Sequence, residues 1–398
     1  MWLSDSSDIM NFMKYLRYIL TSLIIISLVG GYFVYMTYSG QVDENPISNA
    51  ILAVSRPYPD LTQPKIVTLN CDYHGKNIVL SDTLYGSLDT YYKNDPNKKN
   101  AYLNNREKDF VFSYSEDGTI KDLANKIEAL GVQNGLDQDQ TLDLGACLLQ
   151  SIPYDNVKAQ KILGPDFAKY PISEVIPRYP YETLYDDTGI CTDKTFLGAA
   201  VLGDMGYKTA IMTFDADKHM SLGVGVTYGY GSFGTSYGIM ELTGTGFLVG
   251  DVPELSSGVG LAINNFQTQP NVSSDTQVQT EQVKLSNPSD VIPVSDGNNY
   301  ARIVQRTAVR QKLEELKPQL DQLNTAYQNA QNVLTQAETN LKTAESNYKA
   351  SPGNATYNAY LQVYTTYQTD YNAAQSAIDA YNQMVNLYNG YVEQYKQF

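Results

Sequence analysis

Histidine is nearly absent from this chain of 398 residues: His74 and His219 are the only two, set beside three cysteines, Cys71, Cys147 and Cys191. So few soft donors set aside a metal-dependent enzyme and leave only a handful of Cys/His pairings. Cys71, Asp72 and His74 stand close together, but three donors on one turn with no second cluster read better as an exposed turn; no metal and no cofactor are expected. A basic stripe is also missing. The net charge is −15, and residues 1–300 hold the whole acidic excess, with 20 Lys/Arg against 35 Asp/Glu, while residues 301–398 carry eight of each. Nucleic-acid binding therefore has no electrostatic basis.

What is present concentrates between Gly189 and His219, in GICTDKTFLGAAVLGDMGYKTAIMTFDADKH. Cys191 stands at a loop-to-helix junction. Apolar Phe196, Leu197, Ala200, Val201 and Leu202 give a helical face that Gly206 ends. Lys208 to Phe214 alternates like a strand, and a second strand starts just after His219. A cysteine at a helix start, where free amides and the helix dipole favour an anion, and a histidine on a strand make a workable nucleophile and base. The plainer reading is a buried thiol and a strand-edge histidine.

In chain order, Tyr18 to Tyr38 is a run of 21 residues without a charge, about 32 Å as a helix and enough for one bilayer crossing. Lys14 and Arg17 precede it and Asp43 and Glu44 follow, which puts the N-terminus in the cytoplasm and the bulk outside the cell. The absence of an A-x-A site favours a retained anchor over a cleaved signal peptide. Residues 1–40 then form a cytoplasmic tip and transmembrane anchor, 41–64 a stalk, 65–255 an extracellular domain with its core at 120–255, 256–299 a linker and 300–398 a helical hairpin. Within the domain, residues 65–92 read as β structure, 120–130 and 141–150 as helices, and 157–190 as a Pro- and Tyr-rich loop. Three strands follow His219, in SLGVGVTY, SYGIMELT and GFLVGDV. The GYGSFG at 229–234 matches a dinucleotide-loop pattern, yet strand follows strand there, so it reads as a hairpin loop. Asn271 and Asn354 head glycosylation sequons.

From residue 300 the pattern changes. Leu313, Leu316, Leu320, Leu323, Tyr327, Ala330, Leu334, Ala337, Leu341, Ala344 and Tyr348 alternate spacings of three and four. After SPGN a second series runs from Tyr357 through Tyr360, Tyr364, Tyr367, Tyr371 and Ala374 to Tyr395. Two such runs predict an antiparallel coiled-coil hairpin about 50–60 Å long, kinked or begun at Pro318. It is either a spacer or a surface for self-association or wall binding.

A Cys–His pair needs a third group to orient the imidazole. Glu241, on the strand after His219, is favoured over Asp251, on the strand beyond. At this point SIPYDN, YPYETLYDDTGICTDKTFLGAAVLGDMGY, KHMSLGV and IMELT together resemble the transglutaminase-like superfamily, nearest its microbial and archaeal members, over residues 120–255. The resemblance implies an α+β, papain-like core, with a helix packed on an antiparallel sheet. It also implies Cys191 as nucleophile, His219 as base and Glu241 as orienting acid, with the Cys191 backbone N–H in the oxyanion hole. Gln150 and Tyr185 stand as guesses for a second donor. Many relatives carry Asp then Thr where this chain has Glu241 and Thr243.

The expectation is a membrane-anchored extracellular cysteine peptidase or isopeptidase acting on a peptide or protein of the cell envelope; transamidation stays open. The alternative is a non-catalytic surface scaffold or adhesion protein that works through its hairpin. Cys147, in an apolar helix, reads as a core thiol, with a Cys71–Cys147 disulfide as the alternative outside the cell.

Overall fold

The structure is a computed structural model, and it describes residues 58–112, 117–256 and 282–398. The expected anchor at 18–38, most of the stalk and Asn271 lie outside these residues; among the described residues no helix is long and apolar enough to cross a membrane.

The first element is a two-stranded hairpin, β1 (Pro64–Tyr73) and β2 (Lys76–Tyr85). Its alternation puts Val67, Leu69, Cys71, Ile78, Leu80 and Leu84 inside and their neighbours in solvent. The turn forms because His74 and Gly75 both take positive φ, 52° and 75°, the pairing that matches strand twist. Short helices α1 (Gly86–Lys93), α2 (Pro96–Leu103) and α3 (Glu107–Phe112) lead to α4 (Thr119–Gln133) and α5 (Gln138–Gln150). A capping box starts α5: Asp137 accepts from the Gln140 N–H at 2.8 Å and Gln140 accepts from the Asp137 N–H at 3.0 Å. Cys147 on α5 is disulfide-bonded to Cys71 on β1, with Cα atoms 5.9 Å apart, so it is not the core thiol its apolar surroundings suggested. Cys191 is the free cysteine.

The stretch read as one loop, 157–190, instead holds α6 (Asn156–Leu163), α7 (Ile172–Val175) and α8 (Pro180–Asp186). Next come α9 (Cys191–Asp204), β3 (Thr209–Phe214), β4 (His219–Gly225) and β5 (Tyr237–Met240). A short pair, β6 (Glu254–Ser256) and β7 (Gln282–Lys284), precedes β8 (Asp290–Ser295). One antiparallel sheet runs β5-β4-β3-β8. Helix α9 is buried on all sides, with Phe196, Leu197, Val201 and Leu202 each at most 1% exposed, because it lies between this sheet and helices α4, α5 and α8. The architecture is α+β, with mixed helices and antiparallel sheets.

Two expectations for the domain's edge are corrected. GFLVGDV is not a strand: Gly250 takes φ 94° and its N–H donates to the Ile239 carbonyl at 2.6 Å, folding the segment back as a loop. The fourth strand comes instead from the stretch read as linker. There β8 pairs with β3, and Tyr300 bridges to Val226.

Helices α10 (Arg302–Ala350) and α11 (Asn354–Tyr395) pack along each other as a hairpin turned at Ser351–Gly353. At 49 and 42 residues they span about 74 and 63 Å, longer than expected because α10 begins well before the heptad pattern does. The helix runs through Pro318 without a break. Tyr360, Tyr367, Tyr381 and Tyr388 lie half-buried with fully buried Ala374 on the shared face. Tyr357, Tyr364 and Tyr371, read as the same seam, are exposed. At the root, Arg302 pairs with buried Asp143 of α5 at 2.7 Å, and Arg306 with Asp251 at 3.2 Å. Burial pushes the Asp143 carboxyl up to about 7, even though Arg302 and the Tyr300 hydroxyl oppose that rise.

Candidate active site

The first turn of α9 is pinned from behind by ionic contacts. Asp193, fully buried, accepts from both its flanks: Lys158 Nζ at 2.9 Å on each oxygen, Arg178 N–H at 2.7 Å and Arg178 Nη1 at 3.0 Å. It also takes the Ile190 N–H at 3.2 Å, capping the helix. Burial alone would raise this carboxyl; the Lys158 and Arg178 charges hold it below the usual carboxylate range instead. Gly189 is closely packed: a Cβ there would stand 3.0–3.2 Å from Thr183, Asp193 and Lys194, which would have to give by a few tenths of an ångström. The chain therefore enters α9 in one fixed way, and Cys191 is delivered as the first helical residue, 7% exposed.

His219 opens β4, paired opposite Phe214 on β3. Its ring is buried, and its Nε2 lies 2.7 Å from Glu241 Oε2. Glu241 follows β5 directly. Its second oxygen accepts from the Thr243 N–H at 2.8 Å and the Thr243 hydroxyl at 2.7 Å, so each oxygen of this buried carboxylate is engaged. The other imidazole nitrogen, Nδ1, has no hydrogen-bond partner, and Cys191 is near enough to act on the ring. Burial works against the imidazolium; the Glu241 charge and the contacts with Cys191 and Glu241 outweigh it and push His219 up to about 10. Glu241 moves the opposite way: burial would raise it, and the His219 charge with Thr243's hydrogen bonds takes it below its ordinary value. The two shifts describe one buried imidazolium–carboxylate pair with Cys191 at its open end.

The structure thus brings together Cys191, His219 and Glu241 and separates the rest. Asp251 is turned away, on Arg306 and the Leu248 N–H. Gln150 is not free to donate to a substrate: its Nε2 is bound to the Glu241 and Phe247 carbonyls, both at 2.8 Å, and its Oε1 accepts from Gly246 N–H at 3.0 Å. It fastens the loop after Glu241 to α5. Tyr185 is elsewhere, stacked on Tyr181 with its hydroxyl at the Gly86 turn and Lys65 over its ring. Cys71 is consumed by the disulfide, so Cys71, Asp72 and His74 do not form a ligand set.

Comparison with protein families adds one finding. Residues 131–227 match the family described as a transglutaminase-like domain. The matched span runs from the end of α4 to just past β4, and so takes in Cys191 and His219 but stops before Glu241. No curated protein and no solved structure matches the chain. Asp193 and Lys194, which support this transglutaminase-like region, were not singled out in the sequence, and Gln150, expected as an oxyanion donor, is a structural tie instead. The available signal for Asp193 and Lys194 was Thr192-Asp193-Lys194-Thr195, a polar run opening a helix that is then apolar or glycine from Phe196 to Gly203.

Proposed function

We propose that the protein is a cysteine-dependent acyl-transfer enzyme of papain-like design that cuts amide bonds in peptides or proteins outside the cell. The observation that carries this reading is the buried His219 imidazole, held by Glu241 on Nε2 with Nδ1 left without a partner, and Cys191 close enough to the ring to act on it. Cys191 sulfur attacks the amide carbonyl carbon, whose π electrons move onto oxygen. Collapse of the tetrahedral intermediate expels the amine, which takes its proton from His219 Nδ1. Water, deprotonated by the same nitrogen, then releases the acid from the thioester. An amine in place of water gives transamidation. Glu241 holds the ring orientation and its charge throughout.

Residues 18–38 would tether the domain to the membrane, and the Cys71–Cys147 disulfide suits an oxidising exterior. A scaffold role is favoured by a separate observation, the exposed Tyr357, Tyr364 and Tyr371 along α11, which suit self-association of the hairpin. The two readings separate on a fluorogenic peptide library offered with and without a primary amine. Activity lost in Cys191→Ala and His219→Ala supports the enzyme; a wild type as inert as these variants supports the scaffold.

A further inference from the structure

The loop that leaves β5 carries Glu241 at its start and is held by helices from two sides. Gln150 of α5 fastens its first part, through the Glu241 and Phe247 carbonyls and the Gly246 N–H. Its far end turns back to the strand it came from. The Gly250 N–H donates to the Ile239 carbonyl at 2.6 Å, two residues before Glu241. Whatever holds residues 249–251 therefore bears on the backbone that delivers the carboxylate.

What holds them is the base of the helical hairpin. Arg306 of α10 is 3% exposed, and both groups it bonds lie in this loop: its Nη2 donates to the Val249 carbonyl and stands 3.2 Å from Asp251 Oδ1. Its Nη1 has no partner. The other Asp251 oxygen accepts the Leu248 N–H at 3.0 Å, so the ion pair also fixes the turn itself. One helical turn earlier, buried Ile303 lies so close under Gly250 that a Cβ there would stand 2.7 Å from its Cδ1. A buried guanidinium is costly unless its bonds compensate, and here those bonds are committed to one loop.

Resting on the acyl-transfer reading of Cys191, His219 and Glu241, we propose that the hairpin base regulates that site, with Arg306 as the positioning residue for the Glu241 loop and Ile303 as the surface the loop rests on. With α10 docked, Thr243 keeps both its bonds to Glu241 Oε1, and Oε2 faces His219 Nε2. An α10 tilted away at its root removes the far tether, and the carboxylate loses its fixed seat on the imidazole. The hairpin is then a lever, and load or a partner on its long helices reaches the site through their root.

A charge effect and a positioning effect of Arg306 have opposite signs at His219. Removing a cation alone favours the imidazolium and leaves the ring titrating at about 10 or higher. Loosening Glu241 removes the charge that sustains the imidazolium, and the ring titrates lower.

The test is an NMR titration of His219 in the full chain, with acylation of Cys191 by p-nitrophenyl acetate measured alongside. Arg306→Met keeps the apolar stem and loses the guanidinium. The proton affinity of the His219 ring should drop at least about tenfold, and acylation at neutral pH should slow about as much. Arg306→Lys, which keeps a cation able to reach the Val249 carbonyl, should recover part of both. Should Arg306→Met fail to fold, Ile303→Ala, which opens space under Gly250 and keeps the guanidinium, is read in the same way and in the same direction. An unmoved or raised His219 titration in the folded variant overturns the role of the hairpin base and leaves the enzyme reading standing. A lowered titration in a protein whose wild type is never acylated at Cys191 sinks the acyl-transfer reading and leaves the link between hairpin and Glu241 in place.

Discussion

Replacing Glu241 by Gln removes the charge 2.7 Å from His219 Nε2 while keeping an oxygen to hydrogen-bond it. The buried imidazole then has burial against it and only its contacts with Cys191 and a neutral amide for it. Its pKa should fall from about 10 to below the ordinary 6.5, a loss of about 5 kcal/mol in imidazolium stabilisation. The leaving amine loses its proton donor at neutral pH, and amide turnover collapses with it. The titration is readable by NMR of the histidine ring carbons, because the one other histidine, His74, sits on the exposed β1–β2 turn. Stability follows the same groups. The raised His219 contributes fully below 6.5 and loses its contribution as pH climbs toward about 10. The depressed Glu241 contributes fully above 4.5 and loses its contribution as pH falls through its lower folded value. Wild type should therefore show its highest urea midpoint between about pH 4.5 and 6.5 for this pair, and Glu241→Gln should flatten the alkaline decline. A His219 that titrates near 6.5 in wild type, or still above 9 in the variant, would mean that Glu241 does not hold the imidazolium.

Other parts of the structure give independent tests. Cys71→Ser with Cys147→Ser opens a link across 76 residues and should cost about 4 kcal/mol in denaturant unfolding, with Cys191 still alkylated at its wild-type rate. Gly198→Ala places a methyl 2.4 Å from Leu242 Cδ1, next to Glu241; about 1–3 kcal/mol of stability and much of the activity should go together. Arg302→Ala leaves Asp143 buried without its cation at the hairpin root, and a loss of about 3–5 kcal/mol should appear in thermal or urea melts.

The central elements were legible because their patterns are local. A period near 3.6 marked α9, alternation marked β3 and β4, and strict three-four spacing marked α10 and α11 over most of their lengths. The order Cys191, His219, Glu241 followed from reading helix, strand and strand in sequence. What escaped depended on distant partners. Strand β8 lies in a polar stretch with Pro293, and it forms only because β3 offers a free edge. Tyr357 and Tyr360 look alike in sequence and both rings reach Tyr348 of the other helix, yet Tyr360 is half-buried there while Tyr357 stays exposed. Gln150 was legible as polar and near the site, but its partners, the 241–247 carbonyls and N–H, lie more than ninety residues away. Pro318 was expected to disturb its helix; a long helix packed along its length carries one missing N–H without ending.

Acting as one acyl-transfer unit, Cys191, His219 and Glu241 should direct acylation to a single site. This is tested most directly by intact-mass and peptide mapping after brief exposure to p-nitrophenyl acetate at neutral pH. One acetyl group per chain, on Cys191, is expected, slowed drastically in His219→Ala and Glu241→Gln and absent in Cys191→Ala. Acetylation spread over surface lysines, or on Cys191 at the same rate with His219 removed, would contradict it.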